Sequence, residues 1–211
     1  MPASRSLPAF FILALALTGL AHSPTGTKSQ TVQQAPPAPA HQSDFPTLDG
    51  PTTSCLFDPE RGEVPDCIRQ AADGELFVSP QVLKLLQFDS YGLTPVLSAK
   101  EGWMYVSRTG RVVIIGVPSM DNGADTFHNG LVRVIRNKKY GFANRKGQIV
   151  ISTNYDGAMN FEKGTAKVCS RCESKCVDHD CEYHVFAGGE WFQINTKGIV
   201  IARIPPENVP N

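Results

Sequence analysis

Three stretches of the sequence align without gaps: WMYVSRTGRVVII (103–115), YGFANRKGQIVIS (140–152) and WFQINTKGIVIAR (191–203). Each opens with an aromatic residue, has Ser or Asn four positions later and Gly seven positions later, and then runs into β-branched residues. Ser and Asn start tight turns by bonding nearby backbone, and Gly accepts the left-handed conformation that closes a short hairpin loop. β-Branched residues suit a pleated, half-buried surface. Each stretch therefore predicts a β-hairpin, and their recurrence predicts a repeat protein.

A second pair of stretches, DNGADTFHNGLVRV (121–134) and YDGAMNFEKGTAKV (155–168), aligns in register between the hairpins. We interpret each as a turn, a buried Phe, a Gly-mediated turn and a further strand. The aromatic positions recur with the repeat, which favours core anchors over a sugar-stacking face. We expect about two and a half repeats in one mainly β, antiparallel meander. The residues that define the repeat are Trp103, Gly110, Phe127, Gly130, Tyr140, Gly147, Phe161, Gly164, Trp191 and Gly198.

The full pattern is an aromatic-Gly pair, a turn ending in Gly, β-branched residues and the block Tyr-Asp-x-Ala-x-x-Phe-x-x-Gly-x-Ala-x-Val. This pattern resembles the bacterial WG (KWG-type) repeats over roughly residues 100–202, and the unit from Tyr140 to Val168 matches it best. The aromatic-Gly pair itself is present only as Tyr140-Gly141; the other two hairpins open with Trp-Met and Trp-Phe. The resemblance implies non-catalytic β repeats and adds little about function.

The beginning of the chain predicts export. A basic residue, Arg5, precedes the apolar run LPAFFILALALTGL (7–20), and small residues follow, as in a secretory signal peptide, which we assign to residues 1–23. The alternative, an uncleaved N-terminal anchor, is less favoured because a membrane span needs about 20 apolar residues. Residues 24–53 are rich in Pro, Thr, Gln and Ala and predict a disordered linker. We expect no membrane span in the mature chain and a periplasmic or extracellular location in a bacterium.

The remaining sequence predicts three further segments. Residues 54–99 are expected to hold a Cys-containing turn region, a helix over 79–88 and the first strand, residues 100–204 the repeat domain, and residues 205–211 a tail. Ser79 is a suitable N-cap and Pro80 fits the first helical position. We expect this helix to cap a face or edge of the sheet.

Cysteines are the main chemical feature of the chain. An insertion before the third hairpin, residues 169–184, contains four of the six cysteines. In an oxidising compartment we favour disulfides among these four, with the connectivity open, and between the remaining two. The alternative is a zinc site based on the Cys-x2-Cys spacing. The disulfide candidates are Cys55, Cys67, Cys169, Cys172, Cys176 and Cys181, and the zinc alternative uses the last four of these with His184.

Charge is balanced over the whole chain, with 20 basic and 20 acidic residues, so no global charge favours nucleic acid or a membrane surface as the partner. One local stretch is basic and free of acidic residues. It is a candidate for binding an anionic envelope polymer, although we favour a solvated strand edge whose charges guard against edge pairing. The residues of this stretch are Arg133, Arg136, Lys138, Lys139, Arg145 and Lys146.

The sequence contains no GxSxG, HExxH, P-loop or dinucleotide-binding motif. We therefore expect no catalytic residues and no cofactor, while a hydrolase with scattered residues stays as the third hypothesis. The favoured function is an exported, non-catalytic module that binds an envelope protein or an anionic polymer, with no specific nucleic-acid partner. The alternative is an exported zinc-binding domain.

Overall fold

The structure is a computed structural model, and it describes residues 50–56, 62–120, 123–179 and 184–206. The predicted signal peptide, most of the predicted linker and residues 207–211 lie outside the described residues. No helix among the described residues is long and apolar enough to cross a membrane.

The described residues are mainly β. The elements in chain order are β1 (Thr52–Leu56), β2 (Glu63–Gln70), β3 (Leu76–Val78), α1 (Pro80–Leu83), β4 (Leu93–Ser98), β5 (Gly102–Ser107), β6 (Val112–Val117), β7 (Ser119–Met120), β8 (Gly123–Ala124), β9 (Leu131–Arg136), β10 (Lys139–Asn144), β11 (Ile149–Tyr155), β12 (Gly157–Ala158), β13 (Thr165–Ser170), β14 (Glu173–Cys176), β15 (His184–Ala187), β16 (Glu190–Asn195) and β17 (Val200–Ile204). Every recorded strand pair is antiparallel.

The three predicted hairpin turns are confirmed. In the middle hairpin, the backbone N–H groups of Lys146 and Gln148 donate to Oδ1 of Asn144 at 2.9 and 3.1 Å. Gly147 closes the loop with φ +79° and donates its N–H to the carbonyl oxygen of Asn144 at 2.9 Å. The same turn forms at Asn195, where two backbone N–H groups donate to Oδ1 at 3.0 Å. The short polar side chain therefore sets these loops, and Gly supplies the conformation that other residues avoid.

The repeats form three three-stranded units rather than the single continuous sheet that we predicted. Repeat 1 is β4-β5-β6, repeat 2 is β9-β10-β11, and repeat 3 is β13-β16-β17. The strand in each aligned block pairs with the hairpin that follows it, since β9 pairs with β10 and β13 with β16. Between units the chain turns through the short strands β7, β8 and β12, so each repeat begins a new sheet or layer.

The middle strand of each repeat faces two hydrophobic cores, because successive side chains point to opposite faces. In repeat 1, Met104 and Val106 are buried in a core that β1–β3 complete. On the other face, Trp103 and Tyr105 pack in the core that repeat 1 shares with Val132 and Val134 of repeat 2. Repeat 1 thus separates two cores: one enclosed by the six-stranded sheet to which β1–β3 and repeat 1 both belong, and one shared with repeat 2.

The same alternation continues along the chain. In repeat 2, Ala143 packs in the core shared with repeat 1, and Phe142 packs in the core shared with repeat 3. In repeat 3, Ile194 faces repeat 2, while Trp191 packs against cysteines of the insertion. The repeats therefore stack, each burying both faces against a neighbour, as expected of units that cannot bury a hydrophobic face alone.

The N-terminal part of the domain differs from the prediction. Residues 54–74 hold the strands β1 and β2 where we expected turns, and β1 begins within the stretch assigned to the linker. A disulfide joins Cys55 to Cys67 across this strand pair, with Cα atoms 5.5 Å apart. Pro65 and Asp66 are poor strand residues that argued against this assignment, and pairing plus the cross-link overrides their propensity.

The predicted helix is present as one turn only, and a helix that caps the sheet is not shown. Ser79 is the N-cap, since its Oγ accepts a hydrogen bond from the N–H of Val82 at 3.4 Å, and Pro80 is the first helical residue. A single turn is marginal on its own, and it holds here because Val82 and Leu86 pack into the first core. The strands β1–β3 instead continue the sheet of repeat 1, since β1 pairs with β4, and the sheet curls back so that Phe77 of β3 bridges to Arg111.

Candidate binding cleft beside the cysteine-rich hairpin

The predicted basic patch does not form a continuous surface, and the assignment of Arg133 to it was wrong. Arg133 is only 7% exposed, and its Nε donates to Oδ2 of Asp125 at 2.8 Å. Its Nη1 also donates to the carbonyl oxygen of Ala158 at 2.9 Å. Asn160 donates from Nδ2 to the other carboxylate oxygen of Asp125 at 3.0 Å. Asp125 is 1% exposed, so its carboxylate does not face solvent. Asp125 and Arg133 therefore form a buried ion pair that further hydrogen bonds support.

Two other members of the patch are also paired with carboxylates. Lys139 forms an ion pair with Asp156, and this hydrogen bond, together with one from the N–H of Arg171, lowers the pKa of the Asp156 carboxyl. Arg145 lies 3.5 Å from a carboxylate oxygen of Asp89, with its guanidinium stacked 3.7 Å from the centre of the Tyr91 ring. The other three members of the candidate patch, Arg136, Lys138 and Lys146, are exposed.

The described part of the cysteine-rich insertion contains the antiparallel strand pair β14–β15, which we call the cysteine hairpin. At its base a disulfide joins Cys169 to Cys172, with Cα atoms 5.9 Å apart. Cys176 is also disulfide-bonded, and Nε2 of His184 lies 3.5 Å from its Sγ. Cys181 lies outside the described residues. The Cys169–Cys172 pair thus has the geometry of a disulfide, as the favoured interpretation of the insertion expects.

The cysteine hairpin is anchored to repeat 2 by an aromatic contact. The ring of Phe186 meets the edge of the Tyr140 ring at 5.3 Å between centroids. It also lies over Gly157, where an added Cβ would come within 2.6 Å of the Phe186 ring and 2.7 Å of Sγ of Cys169. A side chain at position 157 would therefore push the hairpin away. Burial raises the pKa of Tyr140, so its hydroxyl stays neutral beside the hairpin.

Between the cysteine hairpin and the repeats lies an open cleft of about 350 Å³, which we call the methionine cleft. Its apolar lining includes Met120 and Met159, which are 44% and 38% exposed, and Phe186. The buried guanidinium of Arg133 and the exposed carboxylate of Glu162 add one charge of each sign. The remaining lining residues are Asn160, His184, Val185 and Trp191. Methionines adapt to the shape of a ligand, and such clefts bind apolar side chains with a few polar groups fixing orientation.

Residues 140–170 match the family model of the WG containing repeat. The matched segment spans β10 to β13, which confirms the resemblance seen in the sequence for the unit where it was strongest. No curated protein and no solved structure matches the chain.

The glycine of the aromatic-Gly pair in the middle unit has a steric reason. Gly141, the glycine of the aromatic-Gly pair, lies where an added Cβ would come within 2.5 Å of the carbonyl oxygen of Ile151 and 2.8 Å of the N–H nitrogen of Thr153. The equivalent Met104 of repeat 1 is fully buried against the N-terminal strands, and Phe192 of repeat 3 packs at the edge of the second core. The two outer units thus use side chains where the WG repeat has none.

The methionine cleft itself was missed by the sequence analysis. Met120 precedes the first aligned block and Met159 lies within the second, and only the fold brings them together with the cysteine hairpin. One signal for the buried ion pair was present: the block alignment places Asp125 opposite Met159. A carboxylate at the position of a methionine, eight residues before Arg133, marks a site that differs chemically between otherwise equivalent units.

Proposed function

We propose that this protein is an exported, non-catalytic WG-repeat module that binds an extended polypeptide segment in the methionine cleft. The observation that carries the proposal is the cleft itself, which is lined by two half-exposed methionines, Phe186 and Arg133. A peptide offers apolar side chains for the methionines and Phe186, and a backbone N–H for the exposed carboxylate of Glu162. The paired disulfides support export, because they persist in oxidising compartments.

A polypeptide fits the observations better than an anionic polymer does. A polymer of repeated negative charges needs a surface of uncompensated cations. Three of the six candidate basic residues instead pair with carboxylates on the same chain: Arg133, Lys139 and Arg145. The cleft also carries Glu162, which would repel a polyanion.

The proposal is tested with a phage-displayed random dodecapeptide library selected on the purified, oxidised, exported protein. A selected peptide is then synthesised and its affinity measured by calorimetry. Met159→Glu is expected to weaken binding by about tenfold or more, since it places a charge in the apolar lining. Val177→Glu is the matched control, because Val177 is 59% exposed and does not line the cleft.

Two other outcomes decide against the proposal. Peptides whose binding is unaffected by Met159→Glu would place the binding site elsewhere. Salt-sensitive binding of polyphosphate that is lost in Lys138→Glu would favour the polymer. Intact mass with and without reductant, together with metal analysis of the exported protein, tests the zinc-binding alternative, because bound zinc requires free thiolates.

A further inference from the structure

The three methionines among the described residues differ sharply in exposure. Met104 is fully buried in the first core, whereas Met120 and Met159 are 44% and 38% exposed. The two exposed methionines both line the methionine cleft. In the described part of the chain, the methionine side chains that solvent reaches therefore all lie in one place, and that place is the cleft.

A methionine thioether that solvent reaches is open to oxidation by peroxide. Hydrogen peroxide transfers one oxygen atom to the sulfur: the O–O bond breaks, an S–O bond forms, the sulfur loses two electrons, and water leaves. The product, methionine sulfoxide, is polar, and methionine sulfoxide reductases return it to the thioether. The change is thus covalent and reversible, and its extent follows access to the sulfur.

The repeat itself indicates that the fold accepts a polar group at both exposed positions. In the alignment of the two WG-type blocks, Met159 stands opposite Asp125, and Met120, one position before the first block, stands opposite Asn154. Met104, by contrast, packs in the core with the N-terminal strands, where burial of a polar sulfoxide is costly. We therefore expect oxidation of the two exposed methionines to change the cleft and leave the chain folded.

Oxidation at these two positions would reverse the character of the cleft. Met120, Met159 and Phe186 supply much of its apolar lining, and the carboxylate of Glu162 lies at the same site. Two sulfoxide oxygens would add two hydrogen-bond acceptors to that carboxylate. An apolar side chain of a bound peptide would then meet polar groups, as in other methionine-rich interfaces that oxidation disrupts.

We propose that Met120 and Met159 form an oxidation site that controls the methionine cleft. With both thioethers reduced the cleft binds its polypeptide, and peroxide that reaches the exported protein converts them to sulfoxides and releases the polypeptide. The release rests on the peptide-binding function proposed above, whereas the selective oxidation of the two methionines does not. Export places the chain in an oxidising compartment, where disulfides persist.

The first measurement locates the oxidation. The purified, disulfide-bonded full-length exported protein is treated with millimolar hydrogen peroxide, and its proteolytic peptides are followed over time by mass spectrometry. Met120 and Met159 are expected to gain one oxygen each at least about tenfold faster than Met104, which reacts only when its core opens. In urea the three rates should converge. Equal rates in the folded protein would overturn the proposal.

The second measurement is the affinity, by calorimetry, for the dodecapeptide selected on the untreated protein. Peroxide is expected to weaken binding by about tenfold or more, and the reductases for the two sulfoxide epimers are expected to restore it. Met120→Leu combined with Met159→Leu keeps the lining apolar and has no sulfur there to oxidise, so its affinity, compared only with its own untreated value, should not change with peroxide. Met104→Leu is the matched control and should respond to peroxide like the wild type.

Three results decide against control of the cleft by oxidation. One is a peptide that binds equally tightly before and after both methionines are oxidised. Another is a loss of binding in the double leucine variant, which would come from a different residue. The third is an oxidised wild type that has lost its cooperative thermal unfolding, since binding would then be lost with the fold. If no peptide is selected, the binding function and its control fail together, while the oxidation site stands or falls on the mass spectra alone.

Discussion

Replacing Asp125 with Ala is expected to be one of the most destabilising single substitutions in this protein. The change leaves the buried Arg133 guanidinium without its carboxylate, and it removes the acceptor used by Asn160. Breaking one partner of a buried ion pair costs about 3–5 kcal/mol. For a domain of this size, each kcal/mol lowers the melting temperature by about 2–4 °C, so the expected loss is roughly 6–20 °C. Urea unfolding followed by tryptophan fluorescence, without reductant, measures the free energy of unfolding.

A double variant that removes both charges of the pair serves as a comparison for the single substitution. Met159 stands opposite Asp125 in the next block, so the fold accepts an apolar side chain at that position. Asp125→Met combined with Arg133→Met removes both charges, and we expect it to recover most of the loss, apart from about 1 kcal/mol for the carbonyl of Ala158 left without its donor. Lys139→Ala is the control for a solvent-screened pair and should cost no more than about 1 kcal/mol. A cost below about 1 kcal/mol for Asp125→Ala, or a double variant less stable than the single one, would refute the reasoning.

Three further predictions concern the turns, a tyrosine and a disulfide. Gly147→Ala should lower the free energy of unfolding in urea by at least about 1.5 kcal/mol more than Gly164→Ala does. Both glycines have positive φ, but only at Gly147 would a Cβ meet a carbonyl oxygen, that of Val113. Equal losses in the two variants would contradict this. Burial, reinforced by nearby carboxylates, raises the pKa of Tyr105 to about 12. The contribution of the neutral Tyr105 side chain to stability is therefore complete below pH 10 and is lost as the pH rises from 10 through 12. Absorbance titration should show this tyrosine ionising last, and Tyr105→Phe should remove this part of the loss of stability at alkaline pH. Replacing Cys55 and Cys67 together with Ala should lower the free energy of unfolding by about 3 kcal/mol, and an unchanged urea midpoint would show that the bridge does not limit the unfolded chain.

The hairpin turns were predictable because local chemistry determines them. Asn144 and Asn195 bond their own loops, and Gly147 and Gly198 take positive φ, whatever lies beyond the loop. The strands at residues 52–70 were not predictable in the same way. Pro65 lies within β2, and local propensity there argues against a strand. In that region the pairing of β1 with β2 and the Cys55–Cys67 disulfide override the local propensity.

The placement of Arg133 in a solvent-facing basic stretch was wrong for a related reason. Sequence spacing showed that no acidic residue lies between Asp125 and Asp156, and we read the cations between them as facing solvent. The loop before β9 and the turn after β11 bring those two carboxylates themselves back onto Arg133 and Lys139. The charge of a β-repeat surface therefore depends on how the loops fold back onto each strand, and a linear count of charges misses this.

The two ends of the stack indicate why the middle unit matches the WG repeat while its neighbours do not. In the middle, Gly141 leaves room for β11, and both faces of the unit are covered by further repeats. Repeat 1 meets β1–β3 instead, and Met104 fills the core that a glycine would leave empty there. Repeat 3 meets the cysteine hairpin, where Trp191 packs on the Cys169–Cys172 disulfide. Repeat 1 must fit a partner that is not a repeat, so its sequence departs from the repeat pattern at the residue that faces that partner, Met104. The prediction that follows is that Met104→Gly, which restores the pattern, destabilises repeat 1 by opening a cavity, at a cost of about 2–5 kcal/mol in urea unfolding. A variant as stable as the wild type would show that the N-terminal strands do not need this side chain.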